Sequence, residues 1–228
     1  MKVGVLAVQG DFQAHADMLR RLGAEAVLVK QARQVGEVQG LILPGGESTT
    51  FLKFLGEEGL SAAIREAAAA GKPLFGTCAG AILLARRVED PPQPSLGLMD
   101  VTVRRNAYGR QVSSFIARGE FHAPEEARDG QTSAGRPGGP GRSSAGSGPE
   151  QALEMVFIRA PLICELGPEV EVLARCSRSG DGPKPAQSAG LWPVFVRQGH
   201  IMATTFHPEL TSDPRVHQYF LDLVAGQP

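Results

Sequence analysis

The chain has few cysteines and no excess of charge of either sign. Its 228 residues include three cysteines, Cys78, Cys164 and Cys176, and its formal net charge is −1. An odd cysteine count without a Cys-x-x-Cys pair argues against a disulfide framework and against a zinc cage. Near-neutrality provides no overall field that would favour nucleic acid or an anionic membrane. The remaining composition, 42% hydrophobic and 21% charged, is that of an ordinary globular protein.

Long apolar runs are missing as well. No uninterrupted apolar stretch approaches the roughly twenty residues needed to span a bilayer. The apolar N-terminal segment, residues 1–8, is too short and too interrupted by polar residues for a signal peptide. We therefore expect a cytoplasmic protein with one α/β domain and with no metal or cofactor.

The order of the predicted elements indicates a sheet protein. The first half alternates short apolar strands with amphipathic helices, a pattern typical of a parallel sheet covered by helices on both faces. The second half favours further short strands and ends in a helix with Ser212 as a candidate N-cap. Predicted strands cover residues 2–8, 26–29, 40–44, 73–75, 99–103, 155–159, 170–174, 193–196 and 201–205, and predicted helices cover 11–22, 48–55, 60–70 and 213–225.

Two segments do not fit this pattern. Residues 122–151 hold seven glycines between Gly130 and Gly148 and almost no large apolar side chain. Such a segment cannot bury enough surface to offset its ordering entropy, so we expect a flexible insertion within the single domain 1–228. Residues 177–191 are a second, shorter excursion of similar composition.

Cys78 has the setting of a reactive residue. It lies in Gly76-Thr77-Cys78-Ala79-Gly80, between an apolar run and a helical run. This order is typical of a nucleophile elbow, in which a glycine-flanked turn places the nucleophile at the start of a helix. The string alone is also compatible with a plain turn around a buried cysteine. Cys164 and Cys176 lie in apolar contexts and are interpreted as buried, unreactive thiols.

A second segment, Phe206-His207-Pro208-Glu209, supplies a base and an acid. If the segment is extended, residues two apart point to the same side, and Glu209 can hold one ring nitrogen of His207 while the other faces Cys78. The alternative is a polar strand end at the surface.

The third segment is residues 43–50, Leu-Pro-Gly-Gly-Glu-Ser-Thr-Thr, at the carboxyl end of a predicted strand. Ligands of open α/β sheets bind at this edge. The N–H groups of Gly46 and Ala79 are candidate donors to an oxyanion, and Glu47 and Ser48 are placed to meet a polar substrate. A plain turn followed by a Ser48 or Thr49 helix cap is the structural alternative. No Gly-Lys-Ser/Thr follows, which excludes a phosphate loop.

Together these segments resemble the class I, or triad, glutamine amidotransferases, and more narrowly the glutaminase subunits of pyridoxal 5′-phosphate synthase. The strings Pro-Gly-Gly-Glu-Ser-Thr-Thr, Arg-Asn-x-x-Gly-Arg-Gln from Arg105 and Phe-Ile-Arg-Ala-Pro from Phe157 are the more specific part of the match. The resemblance implies a flavodoxin-like three-layer α/β fold.

The resemblance also implies a reaction and a set of residues. Cys78 attacks the side-chain amide of L-glutamine, His207 moves the proton and Glu209 orients His207, through a thioester that is hydrolysed to glutamate and ammonia. Ammonia passes to a barrel-shaped synthase subunit. Gln9 falls where the site meets that partner and helps set the oxyanion loop. Glutamine-binding positions are Gly46, Glu47, Ser48, Arg105, Ile158 and Arg159.

Three other functions remain open from the sequence. The chain can be the glutaminase of a different synthase, such as the imidazole glycerol phosphate system. It can also be a non-catalytic regulatory partner that keeps the fold, or an esterase or peptidase on the same scaffold.

Overall fold

The computed structural model describes residues 1–57, 59–105, 114–122, 152–177 and 190–226. Both predicted excursions, 122–151 and 177–191, therefore lie almost wholly outside the described residues. Most of the string that begins at Arg105 lies outside them too.

Helices and strands alternate through the first half, as predicted, and strands dominate the second. The helices are α1 Phe12–Arg21, α2 Ala32–Gly36, α3 Ser48–Glu57, α4 Leu60–Ala69, α5 Ala79–Leu84 and α6 Arg215–Ala225. The strands are β1 Lys2–Leu6, β2 Glu25–Val29, β3 Gly40–Leu43, β4 Leu74–Thr77, β5 Ala85–Glu89, β6 Met99–Arg104, β7 Ser114–Gly119, β8 Leu153–Ile158, β9 Leu162–Leu166, β10 Glu171–Ser177, β11 Leu191–Gln198 and β12 Ile201–Thr204. None of these helices is long and apolar enough to cross a membrane.

The main sheet of the described residues has seven strands in the order β10-β11-β12-β4-β3-β1-β2. The five strands from β12 to β2 are parallel to one another, and β11 and β10 extend one edge in antiparallel pairing. The predicted fold, a mostly parallel sheet with a few antiparallel strands in the second half, is confirmed.

Helices cover both faces of this sheet. On one face, apolar residues of α3, α4 and α5 pack in one buried cluster, and on the other, residues of α1 and α6 pack in a second. Strands β3 and β4 are consequently buried at every position. A strand covered on both faces reads as a continuous apolar run, which explains why these two strands are evident from the sequence.

Two smaller sheets flank the main one. Strands β5, β6 and β9 form the first, and the antiparallel pair β7–β8 forms the second. Strand β7 alternates exposed and half-buried positions, as expected of a strand with one solvated face. This pair matters for function because β8 ends at Ile158, next to the nucleophile segment described below.

The start of α6 differs from the sequence prediction. Ser212 is not the N-cap, because the helix begins three residues later, with Pro214 in the cap position. The carboxylate of Asp213 accepts a hydrogen bond from the N–H of Arg215 at 3.0 Å. An acidic side chain one residue before the cap therefore satisfies a first-turn donor that was expected to pair with a serine.

Candidate active site

Four neighbouring parallel strands end at the same edge of the sheet. Strand β12 leads to His207, β4 to Cys78, β3 to Gly46 and β1 to Gln9. Because β12, β4, β3 and β1 are adjacent in the sheet order, these four residues lie side by side at the carboxyl ends of the strands. This is the edge where open α/β sheets bind their ligands.

Cys78 occupies a strained turn between β4 and α5. Its φ is +48° and its ψ is −100°, a conformation that residues other than glycine rarely adopt. Its N–H is tied to the carbonyl of Thr204 on β12 at 2.8 Å. Next to the turn, a Cβ added to Gly80 would lie 2.0 Å from the carbonyl oxygen of Leu43. The helix therefore approaches strand β3 so closely at Gly80 that only glycine fits there.

His207 and Glu209 are hydrogen-bonded, but not in the predicted manner. Nδ1 of His207 lies 2.7 Å from Oε1 of Glu209. The segment is a 3-10 turn, Pro208–Leu210, with His207 at its N-cap, and not an extended strand. Proline fixes the φ of the first turn position, and the tight turn folds the carboxylate back beneath the ring. The N–H of His207 is held by the carbonyl of Val156 on β8 at 2.8 Å.

Burial and neighbouring charges set the ionisation of this pair. Burial alone would lower the pKa of His207, but interactions with the Cys78 thiol and with Glu209 outweigh it and raise this pKa to about 10. Burial alone would raise the pKa of Glu209, but His15 and His207 hold the pKa of this carboxyl below its usual value. The arrangement favours a positively charged ring at His207 beside the Cys78 sulfur, and a neighbouring cation is a setting that activates a cysteine nucleophile.

The glycine loop after β3 is fixed from two sides. The side chain of Gln9 donates to the carbonyl of Glu47 at 2.9 Å and accepts from its N–H at 3.3 Å. The carboxylate of Glu47 accepts from the N–H groups of Thr49 and Thr50. Hydrogen bonds from both threonines lower the pKa of Glu47 to about 2.

Ser48 does not cap this helix. Its hydroxyl donates to Oε1 of Gln93 at 3.0 Å, while Glu47 satisfies the first-turn N–H groups of α3. The alternative interpretation from the sequence, a turn followed by a helix cap, is therefore correct in that a cap is present. The residue that provides the cap is Glu47 and not Ser48 or Thr49.

A pocket of about 190 Å³ opens above Cys78 and His207. It is smaller than the roughly 300–1,000 Å³ typical of drug-sized ligands, and its size suits an amino acid. Of the sequence-predicted residues, Gln9, Ala79 and Glu209 do not line it. Its lining residues are Gly46, Glu47, Ser48, Cys78, Ile82, Arg105, Ile158, Arg159, Pro161 and His207.

The other two cysteines differ from Cys78. Cys176 is buried as predicted, whereas Cys164 is only half-buried. Cys164 lies on β9 of the small outer sheet, where one face is less covered than in the main sheet. Burial raises the pKa of both thiols, which keeps them in the unreactive protonated form.

Sequence reasoning missed several residues around the site. Pro161 and Ile82 line the pocket, and His15 and Thr77 lie behind the His207–Glu209 pair. For His15 a signal was available, because it lies among the apolar positions of the α1 pattern, where a polar residue needs a partner. Pro161 lies in the Phe-Ile-Arg-Ala-Pro string, which was a signal for it, whereas nothing in the sequence separated Ile82 from a core residue.

Replacing Gly45 with alanine is expected to lower kcat about 100-fold, since misplacing a catalytic group by about 1 Å can cost that much. The new Cβ would lie 2.3 Å from Cε1 and 2.9 Å from Nδ1 of His207. Glu209 anchors the ring of His207 and the carbonyl of Val156 anchors its backbone N–H, so the loop and the ring must separate. Glutaminase assays and a thermal melt of the variant provide the measurement.

Gly36→Ala is the matched control, because an added Cβ there meets nothing within 4 Å. The two variants carry the same chemical change. Equal kcat values for Gly45→Ala and Gly36→Ala would show that the approach of Gly45 to His207 is unimportant for the reaction.

An elbow cysteine beside a His–Glu pair, on a sheet of this topology, is the arrangement of a class I glutamine amidotransferase. A solved structure of a glutamine amidotransferase matches with a TM-score of 0.76 and 42% identity over 98% of each chain. The structure of PurLQS from Thermotoga maritima matches with a TM-score of 0.63 and 16% identity, over 97% of each chain. The second match supports the fold alone.

Sequence relatives identify the family within this class of amidotransferases. The family model described as the SNO glutamine amidotransferase family matches residues 5–130 and 145–225. A protein of Koribacter versatilis named pyridoxal 5′-phosphate synthase subunit PdxT is 48% identical over 98% of this chain and 96% of its own length. Its namesake in Thermotoga petrophila is 44% identical over 98% of this chain and all of its own. The chain belongs to the SNO glutamine amidotransferase family, and the predicted resemblance is confirmed.

Proposed function

We propose that this chain hydrolyses L-glutamine to L-glutamate and ammonia and delivers the ammonia to the synthase subunit of pyridoxal 5′-phosphate synthase. The name shared by its relatives supports the pathway, and the 2.7 Å contact between His207 and Glu209 beside Cys78 carries the chemistry. The other functions left open by the sequence are not favoured by these relatives.

The reaction begins at the sulfur of Cys78. The thiol proton passes to His207, whose raised pKa favours the imidazolium, and the thiolate attacks the side-chain amide carbon of glutamine. As the carbon–nitrogen bond breaks, the imidazolium returns the proton to the departing nitrogen, and ammonia leaves. The product on the enzyme is a γ-glutamyl thioester. A water molecule, deprotonated by His207, then cleaves the thioester and regenerates the thiol, and glutamate is released.

Glu209 keeps His207 in the required tautomer. With Nδ1–H donated to the carboxylate, Nε2 is free to accept the proton from Cys78. The carboxylate also stabilises the imidazolium that forms in both half-reactions. Its side chain is fully buried, so the attraction is weakly screened.

The negative oxygen of each tetrahedral intermediate needs donors. We assign this role to the N–H groups of Gly46 and Ala79. Ala79 is the first residue of α5, so its N–H belongs to the first helical turn, whose donors have no intrahelical acceptor. Gln9 supports the loop of Gly46 through its two hydrogen bonds to Glu47, and it is placed to respond to the partner subunit.

Arg105 is suited to the α-carboxylate of glutamine. Its side chain is 15% exposed, and its Nη2 lies 3.7 Å from Oε1 of Glu47 at the pocket. A guanidinium can grip a carboxylate through two parallel hydrogen bonds. The remaining contacts to glutamine come from Glu47, Ser48, Ile158 and Arg159.

The partner in this proposal is a barrel-shaped synthase subunit in a cytoplasmic hetero-oligomer. The test combines the purified chain with the synthase subunit of pyridoxal 5′-phosphate synthase, glutamine being the sole nitrogen source. We expect glutamine-dependent pyridoxal 5′-phosphate formation. An ammonium salt in place of glutamine should bypass the chain and is the control for an active synthase.

A parallel mixture with the imidazole glycerol phosphate synthase subunit tests the alternative pathway. If the first mixture forms pyridoxal 5′-phosphate from ammonium but not from glutamine, the proposed pathway is wrong. Transfer of ammonia only in the second mixture would assign the chain to the other synthase.

A further inference from the structure

A second histidine lies directly behind the His207–Glu209 pair. His15 is on α1, is completely buried and makes three polar contacts. Its Nε2 lies 3.3 Å from Oε2 of Glu209 and 3.2 Å from Oγ1 of Thr77. Its Nδ1 lies 2.9 Å from Nε2 of His217 on α6.

The contact with Glu209 involves the oxygen that His207 does not use. Oε1 of this carboxylate is paired with His207, whereas Oε2 is fully buried and makes no hydrogen bond. Leaving a buried carboxylate oxygen without a donor is costly. A small rotation of the His15 ring would turn the 3.3 Å approach into a hydrogen bond, and such contacts in enzyme sites often tighten when substrate binds.

The partners of the two rings determine where the protons lie. If Nδ1 of His15 donated to His217, the lone pair of its Nε2 would face the carboxylate, and Nδ1–H of His217 would be buried without an acceptor. In the opposite arrangement, Nε2–H of His217 donates to His15, and Nε2–H of His15 points at Glu209 and Thr77. Then the unpartnered atom, Nδ1 of His217, carries only a lone pair. The second arrangement therefore avoids both a lone pair that faces the carboxylate and a buried N–H without an acceptor.

Both rings are neutral in this arrangement. Burial lowers the pKa of His15, although Glu209 opposes this effect, and burial together with His15 lowers the pKa of His217 to about 3. Within the described ranges, no group of three or more His, Cys, Asp or Glu side chains is arranged to hold a metal ion. A hydrogen-bond chain is therefore the interpretation that fits the cluster.

We infer that His15 is a positioning residue for glutamine hydrolysis, which donates from Nε2 to Oε2 of Glu209 and so fixes the carboxylate that orients His207. His217 sets the tautomer of His15. His217 then donates to His15, and Glu209 accepts from His15 at one oxygen and from His207 at the other. The ring of His207 lines the pocket together with Cys78. This inference rests on the proposed role of the His207–Glu209 pair.

The test replaces His15 by leucine, asparagine and glutamine. The glutamine amide can reach the position of Nε2, whereas the shorter asparagine reaches only that of Nδ1. With the synthase subunit present, the leucine and asparagine variants should lose roughly 10- to 100-fold in kcat, as when other second-layer orienting groups are removed. KM for glutamine should stay unchanged, and the glutamine variant should recover most of kcat.

A second readout separates positioning from packing. The pH dependence of Cys78 alkylation by iodoacetamide reports where the thiolate forms. Without its donor, the Glu209 carboxylate holds a proton more readily and stabilises the imidazolium less. The midpoint should therefore move to higher pH in the leucine and asparagine variants and stay in place in the glutamine variant.

His200→Leu is the matched control, because His200 is part-buried and hydrogen-bonds the carbonyl of Ala68 at 2.9 Å, outside the site. It should keep the parental kcat. Equal kcat values and equal midpoints for His15→Gln and His15→Asn would overturn the inference, and this comparison stands even if His15→Leu does not fold. Should Glu209→Gln also leave kcat unchanged, the assignment of the pair itself fails. If Glu209→Gln lowers kcat but the His15 variants do not, the His207–Glu209 pair keeps its assigned role and only the role inferred for His15 is wrong.

Discussion

Replacing Cys78 with alanine is expected to lower glutamine hydrolysis by roughly 10⁴-fold or more, a loss typical of removing a catalytic nucleophile. No other thiol can take over, because Cys164 and Cys176 lie outside the pocket. The fold should be retained: alanine tolerates the φ of +48° no worse than cysteine does, so the strain of the turn is unchanged. Steady-state glutamate release and a thermal melt provide the measurements.

Cys176→Ala is the control for this prediction, since it removes a buried thiol of raised pKa on β10. It should keep kcat while costing some stability through a small cavity. Equal glutamate release by Cys78→Ala and the parent chain, in the presence of the synthase subunit, would favour another nucleophile. If both released no glutamate although the synthase used ammonium, a binding-only role would be favoured.

Replacing Glu209 with glutamine is expected to lower kcat by roughly 10³- to 10⁴-fold. An amide in place of the acid that orients a catalytic histidine had an effect of about this size in a serine protease. The new NH₂ group can face Nδ1 of His207 and force the wrong tautomer. Turning the amide round instead places the NH₂ against Nε2–H of His15, so neither orientation satisfies both rings.

The matched control for Glu209→Gln is Glu165→Gln. Glu165 accepts a hydrogen bond from Thr102 at 2.7 Å, in the outer sheet and away from the pocket. Glu165→Gln should leave kcat as in the parent. A parental kcat in a folded Glu209→Gln variant would remove this carboxylate from the mechanism.

Much of the fold was accessible from the sequence because its central strands are short and apolar. Strand β3, and β1 and β4 over most of their length, appear as apolar runs between turn signals, which is the signature of strands buried on both faces. Strands β5, β7 and β9 were not predicted. Strand β5, Ala85–Glu89, follows α5 without a turn residue between them, so that periodicity alone gives no boundary. Pairing with distant strands, and not local preference, makes these segments extended.

The site was predictable where chemistry and local turn residues coincide. Cys78 between two glycines, and the glycine pair at Gly45 and Gly46, each indicate a specific turn. The pairing of His207 with Glu209 was foreseen as well, but from an extended geometry that the 3-10 turn at Pro208 replaces. A spacing of two residues is compatible with either backbone, so the correct pairing did not validate the assumed conformation.

The pairing of the residues behind the site could not be predicted, although a polar His15 among the apolar positions of α1 indicated that it needs a buried partner. His15 and His217 are 202 residues apart, and neither lies in a motif that indicates chemistry. Their contact depends on α1 and α6 packing on the same face of the sheet. Only the assembled structure brings the two rings together beneath Glu209.

Labelling by a diazoketone analogue of glutamine tests the central claim most directly. The analogue fits a glutamine site and alkylates an activated thiol, and peptide mass spectrometry locates the adduct. We predict one adduct per chain, on Cys78, with loss of activity in parallel and with protection by glutamine. An adduct on a different residue that accounts for the inactivation, or full activity after complete labelling of Cys78, would contradict the account.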